Sequence, residues 1–253
     1  GILPGVGSLG TDSHLYFGWY HGRMDGLAPA LRAVPRLARF VTEFGAQAVP
    51  DSAEFMHPED WPHLDWEQLL ERHAAQKLYF DRYVPPALFE TFEAWRDATQ
   101  HYQAALVQLQ VEDLRRLRGD PAGGFCHFCF ADGHPSVTWS VLDHARVPKA
   151  GYAALQAACR TVLPVLEPRR GLVHVVNEAR SSLPGAVVTV DLDGELRSFE
   201  GDVPARAVTY IGRVHLDRRT SSVTVRLTHP DVGEIVNTYD DVLEWLRIVA
   251  DED

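Results

Sequence analysis

One carboxylate, Glu43, stands at the end of a short apolar run, residues 37–41, that has the length expected of a buried strand. Gly45 follows it, where the backbone can turn away from the strand. In a parallel α/β barrel, the carboxyl ends of the strands form the rim on which active sites are built, so a carboxylate there is a candidate catalytic group. The competing interpretation, an exposed charge at a strand end, is slightly favoured by residues 39–45 alone.

Residues 11–26 are dense in aromatic and polar side chains that lie close to glycines in the sequence. These side chains are Asp12, His14, Tyr16, Trp19, Tyr20 and His21. Rings beside hydrogen-bonding groups suit a pocket for a ligand with apolar faces and hydroxyl edges, such as a sugar. An aromatic loop that packs on the rim of a barrel is an equal alternative.

Helices and strands must position these residues. After a proline-bearing loop at 46–64, apolar spacing predicts helices over 65–83 and 87–118, with a break at the two prolines between them. A strand is predicted at 124–130 and a helix from 152 to about 163. Strand, loop and helix in repeated alternation predict an α/β barrel. The glycine-rich segment 1–10 is expected to be a loop.

The character of the sequence changes after residue 164. Short β-rich runs separated by turn residues, beginning at 172–176, predict a β-sandwich. We expect a boundary at about residue 167, which gives an α/β domain over 1–167 and an all-β domain over 168–253. Residues 242–249 fit either a last short helix or an added strand.

Composition excludes several classes of protein. The 253 residues carry a formal net charge of −11 without a basic stripe, so no nucleic-acid partner is expected. No apolar run approaches the roughly 18 residues of a membrane span, so no membrane partner is expected. Three cysteines do not make a disulfide framework, which favours a cytoplasmic location. Cys126 and Cys129 would face opposite sides of a strand, so no metal site is predicted there. No cofactor is implied by the sequence.

Residues 39–47 (RFVTEFGAQ) resemble the R-F-V-S-E-F-G-x-Q segment of glycoside hydrolase family 2, above all its β-mannosidase-like members. The family's D-x-H-x-Y segment is matched by Asp12, His14 and Tyr16, and its P-x-x-x-W-S segment by Pro135, Trp139 and Ser140. The start of the next helix is matched by Lys149, Ala150 and Tyr152. The resemblance covers about residues 11–165 and implies the C-terminal part of a TIM barrel, followed by an immunoglobulin-like β-sandwich.

The resemblance implies that Glu43 is the nucleophile of a retaining exo-β-glycosidase and forms a glycosyl-enzyme intermediate. In the family, the acid/base partner is the glutamate of an Asn-Glu pair upstream of the nucleophile. No such pair precedes Glu43, and Asn177-Glu178 belongs to the predicted sandwich. We therefore expect the chain to be the C-terminal portion of a longer protein, with its acid/base residue outside this chain, and to be inactive alone.

The resemblance also implies a sugar pocket. Its candidate residues, each with packing or capping as an equal alternative, are His14, Tyr16, Trp19, Asp132, His134 and Trp139. The family's Y-W-Q-x-N-D-x-W-P segment is here residues 127–135 (HFCFADGHP), which lacks both tryptophans and the asparagine. The sugar is therefore left open among mannosides, galactosides, glucosides and glucuronides.

Two further alternatives stay open at the level of sequence. A non-catalytic carbohydrate-binding or scaffolding protein of the same fold is favoured by the altered segment 127–135, although an intact Glu43 weighs against it. The expected partner is a carbohydrate. Whether the chain also forms a homo-oligomer or associates with an N-terminal part of the protein is not decided by any apolar stripe.

Overall fold

The computed structural model of this protein describes residues 12–119, 121–217 and 219–248. The predicted loop at 1–10 lies outside these ranges. The chain divides into two compact units, residues 1–110 with 119–155, and residues 111–118 with 156–253. Residues 156–167 thus belong to the second unit, and the domain boundary expected at about residue 167 stays a prediction.

The first unit is mixed α/β. Its strands are β1 (Asp12–His14) and β2 (Phe40–Glu43), and its helices are α1 (Leu27–Ala33), α2 (Trp66–His73), α3 (Lys77–Tyr83), α4 (Phe92–Arg116) and α5 (Ala150–Ala158), of which α4 and α5 end in the second unit. Single 3₁₀ turns occur at Met24–Gly26, Pro35–Ala38, Glu54–Met56, Pro58–Asp60 and Pro86–Leu88. None of the described helices is both long and apolar enough to span a bilayer.

The helix predicted over 65–83 is two helices. Asp65 begins the first, because its carboxylate accepts a hydrogen bond from the Gln68 amide at 3.0 Å. Ala74 ends it in the left-handed conformation, with φ of 60°. Gln76 then lies in the connection before α3.

Three segments of the first unit run parallel. β1 pairs with β2 so that His14 lies opposite Glu43. On the other side of β2, the Val41 amide donates to Gly124 O at 3.0 Å and the Cys126 amide donates to Val41 O at 2.8 Å. A parallel α/β arrangement is therefore present, and a closed barrel is not seen among the described residues.

The close approach of these segments depends on a glycine. A Cβ atom at Gly123 would lie only 2.3 Å from the carbonyl oxygen of Arg39, which no side chain tolerates. The strand predicted over 124–130 is present only as this short pairing with β2, through a bridge between Val41 and Phe125. Its remaining residues depart from strand geometry and carry part of the site.

The second unit is built from antiparallel sheets. Its strands are β3 (Val162–Glu167), β4 (Leu172–Asn177), β5 (Leu183–Leu192), β6 (Glu195–Val203), β7 (Ala207–Arg213), β8 (Val223–His229) and β9 (Gly233–Thr238), followed by α6 (Asp240–Ile248). The strand orders are β3-β4-β7 and β6-β5-β8-β9. Leu163, Val165 and Val176 pack with Val208 and Ile235, so the buried faces of the two sheets meet in one apolar core.

Candidate active site

Glu43 lies at the carboxyl end of β2, and His14 lies at the carboxyl end of the adjacent β1. Because the two strands are parallel, their carboxyl ends share one edge, and the Leu15 amide donates to Glu43 O at 2.8 Å just beyond it. His14 Nδ1 lies 3.3 Å from Glu43 Oε2, and the two side chains are 25% and 28% exposed. The strand pairing therefore places a histidine beside a solvent-accessible carboxylate.

Tyr16 is the second group that contacts this carboxylate. Its ring is buried, and its hydroxyl donates to Glu43 Oε2 at 2.8 Å. Burial of the phenol, followed by its bond to Glu43, raises the pKa of Tyr16 well above its usual value. Tyr16 therefore remains a donor at neutral and alkaline pH, and it fixes the orientation of the Glu43 carboxylate.

Tyr16 belongs to a group of four rings in mutual contact, which we call the aromatic cluster: Tyr16, Tyr20, Phe128 and Trp139. The centroid of Tyr16 lies 5.0 Å from that of Tyr20 and 5.8 Å from that of Trp139. Trp139 also contacts Phe128 at 5.7 Å. The indole N–H of Trp139 is buried and has no hydrogen-bond partner among the described residues. The cluster thus joins apolar ring surface to a donor, as a sugar site does.

Trp19 does not belong to this cluster. Its side chain is 0% exposed, its indole N–H donates to Gln76 Oε1 at 2.9 Å, and its ring packs against Phe80 and Tyr83. We therefore assign Trp19 a packing role in place of the sugar contact expected from the sequence. Burial and a satisfied N–H leave it neither surface nor donor for a ligand.

Asp132 is also engaged within the protein. It is 5% exposed and accepts hydrogen bonds from the hydroxyls of Thr138, at 2.5 Å, and Ser140, at 2.6 Å. The Lys149 ammonium lies 3.8 Å away and donates to Ser140 Oγ at 3.0 Å. Asp132 therefore braces the loop that carries Trp139, in place of the sugar contact expected for it.

The buried ammonium of Lys149 completes this loop-bracing network. It donates to the carbonyl oxygens of Ala48 and Thr138 at 3.0 and 3.3 Å. Burial lowers the pKa of Lys149 to about 8, which leaves it charged at neutral pH opposite Asp132. The match of Lys149 to a family position thus corresponds to a structural role.

The structure brings together three of the six predicted pocket residues, His14, Tyr16 and Trp139, around Glu43. His134 is exposed, and only its main-chain oxygen has a described contact, from the Ser136 hydroxyl at 2.7 Å. Across the described ranges, no three His, Cys, Asp or Glu side chains converge as ligands for a metal ion. Gln76 was not predicted, because a continuous helix over 65–83 hid the connection in which it lies.

His127 provides a test of burial next to the site. Its ring packs 5.5 Å from that of Phe44, and both ring nitrogens are buried. Burial lowers its pKa to about 4, against the smaller opposing effect of the Cys129 main chain. The imidazole of an unfolded chain titrates near 6.5. Between these values the unfolded state binds more protons, so the free energy of unfolding is expected to fall by up to about 3 kcal/mol as pH drops from 6.5 to 4.

Urea unfolding at pH 7 and pH 4.5 measures this effect. His127→Phe is expected to remove most of the fall between the two pH values, because a phenyl ring binds no proton. His63, which is exposed, provides the matched control as His63→Phe, with the pH dependence of the wild type. Equal pH dependence in the two variants would show that His127 does not titrate as its burial requires.

Neither a protein-family model nor a curated relative matches the sequence. Solved structures do. The β-D-mannosidase from Dictyoglomus thermophilum matches 90% of this chain with a TM-score of 0.70 and 21% identity. The exo-chitosanase from Amycolatopsis orientalis, in complex with PNP-β-D-glucosamine, matches 79% with a TM-score of 0.56 and 16% identity.

The chain spans 30% of the mannosidase chain and 27% of the exo-chitosanase chain. It has the fold of the corresponding portion of these enzymes. The resemblance to the C-terminal part of glycoside hydrolase family 2 proteins is therefore confirmed at the level of the fold.

Proposed function

We propose that the protein containing this chain is a retaining exo-β-glycosidase of glycoside hydrolase family 2, which hydrolyses terminal β-linked sugars with Glu43 as its nucleophile. The observation that carries the proposal is the way in which Glu43 is held. Among the described residues, Tyr16 and His14 both approach Oε2. The other oxygen, Oε1, is left to react.

In the proposed reaction, Glu43 Oε1 attacks the anomeric carbon while the glycosidic C–O bond breaks and the leaving oxygen gains a proton. Water then cleaves the glycosyl ester and restores the carboxylate. Tyr16 holds the carboxylate in position through both steps. Its raised pKa keeps its proton in place, so that it orients the nucleophile without competing as a base.

The proton donor must be a second carboxyl group, about 5 to 5.5 Å from the nucleophile in a retaining enzyme. Asp132, the carboxyl group among the predicted pocket residues, is buried and bound by Thr138, Ser140 and Lys149. We infer that the acid/base residue comes from a part of the protein outside this chain. The 253-residue chain alone is then expected to bind sugars without turning them over.

The experiment is covalent labelling of the active protein that contains this chain with 2-deoxy-2-fluoro β-glycosides, which accumulate the glycosyl-enzyme ester. Peptide mass spectrometry is expected to place the label on Glu43, because only an ionised carboxylate on the sugar's reacting face forms the ester. Glu54, an exposed glutamate of the same unit, serves as the control and stays unlabelled. Label on another residue, with Glu43→Gln still active, would overturn the assignment.

A non-catalytic carbohydrate-binding protein of the same fold is the second candidate. It is supported by the altered segment 127–135, in which Phe128 and His134 stand where the family has tryptophans. Screening nitrophenyl β-mannoside, β-galactoside, β-glucoside and β-glucuronide separates the candidates. Turnover of any of them excludes the non-catalytic function, and sugar binding without turnover by the intact protein supports it.

A further inference from the structure

The orientation of the Gln76 side-chain amide is fixed by its neighbours. Gln76 lies between α2 and α3, where its Oε1 faces Trp19 Nε1 at 2.9 Å and its Nε2 faces the Tyr20 hydroxyl at 2.9 Å. An indole nitrogen can only donate, so the amide oxygen must be the atom that faces Trp19. The amide nitrogen must then donate to Tyr20.

The position of Gln76 is fixed by a second glutamine. The Gln76 main-chain amide donates to Gln47 Oε1 at 2.9 Å, and Gln47 Nε2 donates to Ala74 O at 2.7 Å. Gln47 is fully buried. Because the backbone of Gln76 is held in this way, its side chain reaches Trp19 and Tyr20 with one orientation. A flipped amide would set two donors against each other at Trp19.

The proton of the Tyr20 hydroxyl therefore has no acceptor among the described residues. A phenol carries one proton and two lone pairs. One lone pair accepts from Gln76, and no described residue accepts the proton. The half-buried ring of Tyr20 packs 5.0 Å from that of Tyr16, which binds Glu43, and 6.1 Å from that of Trp139. A donor without a partner thus lies within the aromatic cluster, one ring away from the nucleophile.

We propose that Tyr20 is a specificity-determining residue of this site, which donates its hydroxyl proton to an acceptor oxygen of a neutral sugar. Gln76 is the positioning residue, because it occupies the acceptor side of Tyr20 and leaves the proton for the ligand. The proposal rests on the proposed function and adds the substrate class. An amino sugar that presents an ammonium group to Tyr20 offers no lone pair to accept this proton, and Asp132 is already engaged by Lys149.

Two substitutions of different kinds test the proposal in the active protein. Tyr20→Phe removes the donor and keeps the ring. Gln76→Glu keeps the shape, but a carboxylate has only acceptors, so it accepts from both Trp19 and Tyr20 and takes the proton away from the sugar. Each is expected to lower kcat/KM for a neutral nitrophenyl β-glycoside about tenfold, mainly through KM, as the loss of one hydrogen bond from a buried site does.

The double variant and a matched control exclude a purely structural explanation. Tyr20→Phe with Gln76→Glu is expected to be no worse than either single variant, because both remove the same proton from the ligand. Tyr79→Phe is the control, since its ring packs 4.9 Å from that of Tyr20 and its hydroxyl has no described hydrogen bond. It should leave kcat/KM unchanged. β-Glucosaminides should be poorer substrates than the neutral glycosides and lose less activity in Tyr20→Phe.

Equal kcat/KM in Tyr20→Phe and Tyr79→Phe overturns the proposal, as does a double variant whose loss is the product of the two single losses. If Gln76→Glu fails to fold, the comparison of Tyr20→Phe with Tyr79→Phe tests the proposal by itself. A wild type that turns over no glycoside rejects the proposed function separately. Calorimetric titration with methyl β-D-mannopyranoside, galactopyranoside and glucopyranoside then tests the role of Tyr20 in binding. Sugar binding that is weakened in Tyr20→Phe and unchanged in Tyr79→Phe supports the proposal for Tyr20. Absence of binding by the wild type overturns that proposal.

Discussion

Glu43→Gln is expected to lower kcat for nitrophenyl β-glycosides by about 10⁴-fold or more in an active protein that contains this chain, on the scale seen when a nucleophile is removed. An amide has the shape of the carboxylate and its oxygen still accepts the Tyr16 hydroxyl, so the site is expected to remain folded. The amide does not attack the anomeric carbon, because it carries no negative charge. Steady-state rates at saturating substrate measure the loss.

The size of this loss separates a nucleophile from a residue that only binds sugar. Loss of a single binding contact lowers the rate up to about tenfold, since one net hydrogen bond contributes at most about 1.5 kcal/mol. Glu54→Gln, at an exposed position of the same unit, is the control and should retain wild-type rates. A Glu43→Gln variant with more than a tenth of the wild-type kcat would show that another group forms the covalent intermediate.

Glu43, His14 and Tyr16 could be named as residues of one candidate site from the sequence, because they belong to segments with recognisable spacing. The physical reason for the contact is the parallel pairing of β1 with β2, which brings the carboxyl ends of the two strands to one edge. Polar residues at the end of a predicted strand can be recognised from the neighbouring residues in the sequence. The roles of the three residues in a sugar site stay predictions.

The sequence could not predict that Trp19 is buried in the packing while the neighbouring Tyr20 belongs to the aromatic cluster. The two residues are adjacent in a turn that begins at Gly18, whose φ of +79° is left-handed. A Cβ atom at Gly18 would lie 2.8 Å from the Cα of Met24, so the turn needs a glycine there. A turn has no periodicity to say which of two neighbouring rings is buried. Only the tertiary partner Gln76 determines it.

A β-sandwich of short strands was predicted for the second unit, and three of its strands, β3, β6 and β9, were not. β6 (Glu195–Val203) is exposed over most of its length, because it lies at the edge of its sheet. It therefore lacks the alternation of apolar and polar residues that identifies a half-buried strand. Its pairing with β5 follows from the turn at Asp193 and Gly194, both of which adopt positive φ.

The largest stability effect is expected from Lys149→Met. Lys149 is 2% exposed and lies 3.8 Å from Asp132, whose carboxylate is buried as well. Removal of the ammonium leaves an uncompensated buried charge, which costs about 3–5 kcal/mol. It also leaves the carbonyl oxygens of Ala48 and Thr138 without their donor. Urea unfolding at pH 7 measures the loss of stability.

A second substitution separates the charge from the packing. In Lys149→Met with Asp132→Asn, neither member of this pair carries a charge, so the double variant is expected to be more stable than Lys149→Met alone. Lys77→Met is the control for loss of a lysine, because Lys77 forms an exposed pair with Asp81 that is worth about 0.3–0.5 kcal/mol. Equal unfolding free energies for Lys149→Met and Lys77→Met would mean that the loop carrying Trp139 is held without this ion pair.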